Sequence, residues 1–505
     1  MKNPLRPWTL VAAIAVSACG GLGQVEPGAD PGNGGAGGTA GAGGMAGSSI
    51  TIVWSADASA SSSKAGSAAG GSGAGGAMSG GPVPPIIAPG DGTSSPPMTI
   101  DGTGTPSVGT GSTGATTTPA SPTTTTTTAV DAGVVSSGGQ LTAGTWDDNL
   151  NFSFYSTYLT TTAATQLSGM PIIARSNRMV IMVKSADGQP VAGAQVSVAD
   201  AQGHVWGSIT GAEGRVIYFP EWASVATNAA LTITATVAPL GISATATASA
   251  GTIELVIPET ALPTIGALDL AFVIDTTGSM GDELSYVQKE LDNIVGGIAT
   301  QFPGIAQRWA LVLYRDQGDE YVVRSFDFTS DLSAFRGNLA AQSATGGNDM
   351  PEAVDQGLAA AAQLGWRQGA TARLAFWIAD APHHVGKEGA VVSALAAAIT
   401  KAVHIYPVAA SGIDDLGEFT MRTAAEVTGG RYLFLTSDSG IGGSHAEPHI
   451  PCYYVTTLAS AMRRMVASEV TGAYMPPAVS DVLRTGGDPQ NQQCTLSTGE
   501  PVTAW

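Results

Sequence analysis

Two patterns of apolar residues divide the C-terminal part of the chain. In residues 179–257, short runs of apolar and β-branched residues are separated by turn signals such as Asp187-Gly188 and Glu213-Gly214. Many short strands at this spacing predict a small β-sandwich, which we assign to residues 146–263. The predicted strands are MVIMV (179–183), AQVSV (194–198), HVWGSI (204–209), RVIYF (215–219), ALTITATV (230–237) and TIELVI (252–257).

From residue 265 to residue 471, apolar strands alternate with helical segments. Between Asp282 and Thr300, apolar residues recur at three- and four-residue steps, which gives the predicted helix one buried face. This alternation predicts an α/β fold, a doubly wound and mostly parallel sheet with helices on both faces. The predicted strands are 267–274, 309–314, 321–328, 372–379, 403–408 and 432–435, and the last predicted helix is 453–470.

The N-terminal residues have the pattern of an export signal. Lys2 and Arg6 form a basic start, and the apolar run LVAAIAV (10–16) is too short to span a bilayer as a helix. The small residues Ser17 and Ala18 follow, and then Cys19. We therefore predict a secretory signal peptide in residues 1–19.

Residues 20–145 differ in composition from everything that follows. They consist mainly of Gly, Ala, Ser, Thr and Pro, with the run GNGGAGGTAGAGG (32–44) and six consecutive threonines from Thr123 to Thr128. Such a segment buries too little apolar surface to offset its chain entropy, so we predict a disordered tether. Only ITIVW (50–54) departs from this composition, and it is too short to fold alone.

Charge and cysteine content exclude some functions. The net charge is −19 and no basic stripe is present, which argues against a nucleic-acid partner. The three cysteines form no CxxC motif, which argues against a zinc site. In an exported protein, Cys452 and Cys494 are expected to pair and to tie an irregular tail, 472–505, to the last helix. Two free thiols are the alternative.

The candidate chemistry lies in AFVIDTTGSM (271–280). A buried strand ends on Asp275, and Thr277 and Ser279 follow at alternate positions. One carboxylate and two hydroxyls are hard oxygen ligands, suited to Mg²⁺ or Mn²⁺. Ligands of doubly wound folds lie at the carboxyl ends of the strands, so Asp380, which ends another strand, and the loop 344–353 are expected to join this site.

The pattern Asp-x-Thr-x-Ser resembles the metal-ion-dependent adhesion site of von Willebrand factor A domains. The resemblance implies a metal site that leaves one coordination position open for a carboxylate of a protein or cell-surface ligand. The loop TGGNDMPE (345–352) resembles the Gly-Gly-x-Asp-x-Pro-Glu variant of hemicentin-like A domains, and either Asp349, which we favour, or Thr345 would supply the middle ligand. The other metal ligands that the resemblance implies are Asp275, Thr277, Ser279 and Asp380.

Two further resemblances concern the rest of the chain. The sequence Val16-Ser17-Ala18-Cys19 resembles the bacterial lipobox, which implies that Cys19 is lipidated and anchors the protein to a membrane. In this resemblance, aspartate directly after the lipidated cysteine would oppose sorting to the outer membrane. Gly20 stands there instead, which favours the outer membrane. The stretch 183–218 resembles carboxypeptidase-regulatory-like modules, which implies a β-sandwich and says little about function.

These observations predict a lipid-anchored binding or adhesion protein of the bacterial envelope, either periplasmic or surface-exposed. An envelope scaffold or assembly factor, whose A domain binds a protein without a functional metal, is the alternative, and an unrecognised hydrolase is the third. We expect no enzyme, because no triad or P-loop pattern occurs. His383 and His384 are predicted to form a polar rim, and His445 and His449 to be solvated.

Overall fold

The computed structural model describes residues 50–52, 140–161, 167–226, 228–238, 240–347, 350–441, 443 and 445–505. The predicted signal peptide, Cys19, almost all of the predicted tether and Asp349 lie outside these residues. Within them, no helix is both long and apolar enough to cross a membrane.

Residues 179–257, together with residues 50–52, form two four-stranded sheets. Their orders are β1-β9-β3-β6 and β5-β4-β7-β8. The strands are β1 (Ile50–Ile52), β3 (Met179–Ser185), β4 (Gln195–Ala199), β5 (Val205–Ile209), β6 (Arg215–Tyr218), β7 (Leu231–Val237), β8 (Ile242–Ala248) and β9 (Gly251–Ile257).

Alternate residues of these strands point into one shared core. Ile181 and Val183 of β3, Ile233 of β7 and Leu255 of β9 are all buried in it. The sheets therefore pack face to face as a sandwich. The sequence did not predict β8, because its inward positions are mostly alanines, whose contrast with the intervening threonines is weak.

The large domain contains a nine-stranded sheet, in which the strands lie in the order β12-β11-β10-β13-β14-β15-β2-β16-β17. The strands β10, β11, β13, β14 and β15 run parallel, while β12 and β2 are antiparallel to their neighbours. The strands are β2 (Thr142–Trp146), β10 (Ala267–Asp275), β11 (Ala306–Tyr314), β12 (Val323–Thr329), β13 (Thr371–Ala379), β14 (His404–Ala409), β15 (Tyr432–Leu435), β16 (Tyr453–Thr457) and β17 (Arg484–Gly486).

Helices cover both faces of this sheet. Along β10, Phe272 and Ile274 face one core, and Ala271 and Val273 face the other, so the strand is buried on both sides. This confirms the predicted doubly wound, mostly parallel α/β fold. The helices are α1 (Phe152–Thr160), α2 (Gly281–Gln301), α3 (Leu332–Ala340), α4 (Val354–Gln363), α5 (Glu388–Thr400), α6 (Asp415–Thr428) and α7 (Leu458–Thr471).

The segment at the predicted boundary between tether and sandwich lies in the large sheet. The sequence assigned residues up to 145 to the tether and residues from 146 onward to the sandwich, but β2 pairs with β15 and β16. Directly after β2, the Asp148 carboxylate accepts hydrogen bonds of 3.0 and 2.8 Å from Arg422 on α6. Pairing between residues this distant in sequence leaves no local pattern, which is why the sequence alone misplaced this segment.

Two predictions near the C-terminus are corrected. The segment 453–470 was predicted as one helix, but Tyr453–Thr457 is β16, and α7 begins at Leu458. The Thr457 hydroxyl caps this helix by accepting from the Ser460 N–H at 3.1 Å. The tail is not irregular throughout, since it contains β17, β18 (Gln493–Thr495) and β19 (Pro501–Thr503). A disulfide joins Cys452 to Cys494.

Candidate metal centre

The carboxyl end of β10 places three of the predicted ligands on one short turn. The Asp275 side chain is fully buried, and its Oδ1 accepts hydrogen bonds from Thr277 N at 2.9 Å and Thr277 Oγ1 at 2.6 Å. The Thr277 and Ser279 hydroxyls are 3.2 Å apart. A single 3₁₀ turn, Gly278–Met280, then leads into α2. One carboxylate and two hydroxyls are thereby held together in a small volume.

Asp380 comes from the strand beside β10. It directly follows β13, which runs parallel to β10 with Ile378 opposite Ile274. Asp380 Oδ1 and Asp275 Oδ2 are both buried and have no hydrogen-bond partner among the described residues. The carboxyl ends of adjacent parallel strands therefore bring together the residues that the sequence predicted there.

The loop 344–353 is attached to the β10 turn through its backbone. Thr345 N donates to Thr276 O at 3.1 Å, and Gly278 N donates to Gly346 O at 2.9 Å. Thr345 itself is exposed, and the favoured Asp349 lies outside the described residues. The middle ligand therefore stays a prediction.

Two glycines let this loop approach the site. Gly346 and Gly347 have φ values of +81° and +58°, a region that favours glycine. Gly347 N donates to the Asp319 carboxylate at 3.1 Å. A Cβ on Gly346 would overlap that same carboxylate. The close approach of the loop to the strand ends thus depends on the absence of these side chains.

Glu352 is a site residue that the sequence analysis did not identify. Its exposed fraction is 1%, and its Oε2 is buried with no partner among the described residues. Glu352 N donates to Pro382 O at 2.9 Å, which attaches this residue to the loop after Asp380. The Pro-Glu pair that ends the Gly-Gly loop was the available signal.

The buried carboxylates repel one another. Burial, and then the charge of the neighbouring Asp380, raise the pKa of Asp275 to about 7. Burial likewise raises the pKa of Asp380 to about 6. Burial, and then the charge of Asp275, raise the pKa of Glu352 to about 9. A bound cation would relieve this repulsion and stabilise the ionised forms.

The donor set suits a hard divalent cation. Carboxylate and hydroxyl oxygens are the ligands that Mg²⁺ accepts, and within the described ranges two buried carboxylate oxygens here form no hydrogen bond. In the described part of the chain, no three His, Cys, Asp or Glu side chains are arranged to hold a metal ion.

Two of these four histidines, His383 and His445, differ from their predicted surroundings. His383 is buried, its Nε2 is 2.8 Å from Gly169 O, and burial lowers its pKa. His384 is partly exposed beside Asp316. The His445 side chain is 4% exposed and 3.2 Å from Glu283, so the prediction that it is solvated is wrong. His449 is 44% exposed and hydrogen-bonded to Glu418, which raises its pKa.

Sequence comparison identifies the domain that carries this site. Residues 269–414 match the model of the von Willebrand factor A domain family. This range includes Asp275, Thr277, Ser279 and Asp380. The chain is therefore a von Willebrand factor A domain-containing protein, as its motifs predicted. Such domains are typically non-enzymatic modules for protein–protein interaction or adhesion, and they often bind Mg²⁺ or Mn²⁺.

Individual proteins match only parts of this chain. An ariadne-like RING finger protein, R811, of Acanthamoeba polyphaga mimivirus is 34% identical over 117 residues, 23% of this chain and 11% of that protein. This chain thus spans only about a tenth of that relative's length.

Solved structures with similarity to this chain include three bacterial proteins. BatB from Bacteroides thetaiotaomicron has 14% identity over 41% of this chain and 98% of its own, with a TM-score of 0.28. An aerotolerance-related membrane protein from Bacteroides fragilis has 14% identity over 41% and 100%, with a TM-score of 0.29. The pilus adhesin SpaC from Lactobacillus rhamnosus GG has 11% identity over 36% and 26%, with a TM-score of 0.24.

Proposed function

We propose that this protein binds a carboxylate of a protein or cell-surface ligand through a Mg²⁺ or Mn²⁺ ion at the carboxyl ends of β10 and β13. The observation that carries the proposal is a pair of buried carboxylate oxygens, Asp275 Oδ2 and Asp380 Oδ1, which lie beside two hydroxyls and have no hydrogen-bond partner in the described part of the chain. A buried charge without a partner costs stability, so a cation is the group that would balance it.

The residues proposed to hold the ion come from three loops. Asp275, Thr277 and Ser279 belong to the first, Asp380 to another, and Asp349, or Thr345 in its place, would supply the middle ligand. The ion supplies an electrophilic position that a partner's carboxylate can occupy. The chain's own residues would hold the ion and present it at the carboxyl ends of the strands.

The rest of the chain would deliver this site. We propose that Cys19 is lipidated and holds the protein at the bacterial envelope, with the outer membrane favoured. The chain ahead of β2 would then connect the anchor to the large domain, and the sandwich would act as a spacer or docking module.

A second candidate function is an envelope scaffold whose A domain binds a protein without a metal. The observation that favours it is that the described residues contain no group of three His, Cys, Asp or Glu side chains arranged around an ion. If removal of the metal also abolishes partner binding, the metal-dependent function is supported. If partner binding persists without the metal, the scaffold is supported.

Calorimetric titration of Mg²⁺ and Mn²⁺ into the full chain tests the proposal. We expect saturable binding that Asp275→Asn abolishes, because Asp275 is the central buried carboxylate of the site. Asp292→Asn is a matched control, since it removes the same charge from a side chain that is 49% exposed on α2. It should bind metal like the wild type.

Access of a carboxylate to the ion is then tested with acetate. In the Mn²⁺-loaded chain, acetate should displace metal-bound water and reduce the relaxation of water protons. Absence of metal binding in a folded wild-type chain would contradict the adhesion-site function and favour the scaffold.

A further inference from the structure

The sandwich and the large domain enclose two neighbouring cavities at their interface. The first has a volume of about 180 Å³ and lies between β5 and β6 of the sandwich and α5 of the large domain. The second, of about 390 Å³, lies between the sheet of β4, β5 and β7 and the large domain. Thr400, the last residue of α5, lines both, and we call the two cavities together the interdomain cleft. Ligand pockets occur preferentially at such domain interfaces.

Aromatic side chains line the first cavity. They include Trp206, Phe219 and Trp222. The ring centroids of Trp206 and Tyr218 are 4.8 Å apart, and those of Phe219 and Trp222 are 6.1 Å apart. Phe219 is buried, whereas Trp206 and Trp222 are only half-buried. Both indoles therefore keep ring surface that a ligand can cover, and covering it would stabilise the complex.

Polar side chains line the second cavity. Gln195 and Ser197 lie on β4, Thr236 lies opposite Gln195 on β7, and Gln368 and Thr400 belong to the large domain. Gln195 and Gln368 are exposed. Amides and hydroxyls can both donate and accept hydrogen bonds. This cavity can therefore satisfy a ligand that carries many hydroxyl groups.

The combination of the two cavities fits a neutral carbohydrate. Among the described residues that line the cleft there is no charged side chain, so an ionic ligand would lose water without gaining a counter-charge. A wholly apolar ligand would cover the polar wall without bonding to it, which costs free energy. A sugar ring has an apolar face of C–H groups, which packs on the electron-rich face of an indole, and hydroxyls at its edge.

We propose that the interdomain cleft binds a neutral oligosaccharide. One sugar ring would pack against the indoles of Trp206 and Trp222. The hydroxyls of the next ring would form hydrogen bonds with Gln195, Thr236 and Gln368. This activity goes beyond the metal-dependent function proposed above and does not depend on it.

The cleft and the candidate metal centre lie at opposite ends of one strand. Gln368 comes just before β13, which begins at Thr371, and Asp380 comes directly after this strand. A strand of nine residues spans roughly 30 Å, so no side chain belongs to both sites. The oligosaccharide would therefore be a second ligand, bound without the metal.

Calorimetric titration of neutral hexaoses into the full chain, in EDTA, tests the proposal. The probes are cellohexaose, maltohexaose, xylohexaose, mannohexaose and chitohexaose. We expect at least one of them to bind saturably and to shift the tryptophan fluorescence to shorter wavelength, because the sugar covers half-buried indoles. Failure of every probe to bind would overturn the proposal. It would leave the metal-dependent function standing, since EDTA removes the metal from this measurement.

Two variants locate the bound sugar. Gln195→Ala/Gln368→Ala should weaken binding roughly 10-fold, because hydrogen bonds from two side chains are lost. Trp222→Ala should weaken binding by a similar factor and reduce the fluorescence shift. Gln189→Ala/Gln202→Ala is the matched control, since it makes the same change at two exposed glutamines of the sandwich that do not line the cleft. It should bind like the wild type.

The glutamine variants decide the test even if Trp222→Ala fails to fold, because both pairs of glutamines are exposed. Wild-type affinity in Gln195→Ala/Gln368→Ala would place the sugar elsewhere and overturn the proposal. An equal loss of affinity in both glutamine pairs would also overturn it, since the loss would then not arise in the cleft.

Discussion

At the scale of single residues, the candidate centre stores unfavourable electrostatic energy. Asp275, Asp380 and Glu352 are each less than 5% exposed, and each has one oxygen without a partner among the described residues. The energetic cost of this arrangement depends on how much charge the three groups carry. Both pH and a bound cation should therefore control the stability of the protein.

We predict that the metal-free protein is less stable at pH 8 than at pH 5. The folded-state pKa values of Asp275, Asp380 and Glu352 are raised to about 7, 6 and 9. A group with a raised folded-state pKa binds protons more tightly when folded, so its contribution is present at low pH and lost as pH rises through that pKa. Thermal unfolding in EDTA at a series of pH values measures this slope.

Two comparisons test whether the pH dependence of stability arises from the carboxylates of the candidate metal centre. Asp275→Asn should flatten it, because the variant has lost one of the titrating groups. Mg²⁺ should also flatten it in the wild type, because the ion stabilises the charged forms. A melting temperature that rises from pH 5 to pH 8 in EDTA would contradict the prediction.

At the scale of elements, β2 determines where the large domain begins. Its five residues pair with β15 on one side and with β16 on the other. The Thr142 and Thr436 hydroxyls, which are separated by 294 positions in the sequence, lie 2.8 Å apart. β2 is thus an interior strand of the large sheet. In the sequence, it is separated from the other strands of this sheet by the strands of the sandwich.

We predict that removing β2 unfolds the large domain. A chain trimmed to residues 147–505 would leave β15 and β16 with unpaired edges, which favour aggregation. A chain trimmed to residues 138–505 keeps β2 and is the matched control. Gel filtration and thermal unfolding by circular dichroism should show a monomer with one cooperative transition only for the longer chain. Equal behaviour of both would contradict the structural role of β2.

The sequence predicted the elements whose signals are local. The buried strands β10 and β13 are continuous apolar runs, and because ligands of doubly wound folds lie at the strand ends, the sequence alone predicted that Asp275 and Asp380 share one site. The sequence could not predict β2, because its pairing is with distant residues. It also could not place the Glu352 side chain, whose position depends on a loop held by Gly347 and Pro382.

At the scale of the whole molecule, the sandwich and the large domain share an interface. Ser208 Oγ on β5 donates to Ile399 O on α5 at 2.8 Å, and Ile217 and Phe219 belong to a core of the large domain. The C-terminal tail closes over the same domain, and a disulfide joins Cys494 of the tail to Cys452. Both cysteines are buried.

We predict that the double variant Cys452→Ala/Cys494→Ala is less stable by about 3 kcal/mol, since the bridge links residues separated by 42 positions and restricts the unfolded chain. Urea unfolding measures this difference. Reductant should lower the stability of the wild type and have no effect on the variant. Equal free energies of unfolding for the variant and the wild type, both measured without reductant, would contradict the prediction. Metal binding should persist, because the metal loops are held by β10, β13 and one another.

The interior position of β2 also decides how the molecule would respond to mechanical load. A force that pulls residue 142 away from the opposite end of the sheet would enter the large domain through β2, directed along the strand. The hydrogen bonds to β15 and β16 run perpendicular to the strands, so such a force loads both ladders in shear. Bonds loaded in shear share the tension, whereas an edge strand pulled sideways loses them one at a time. β2 would therefore resist such a pull more strongly than an edge strand of the same length.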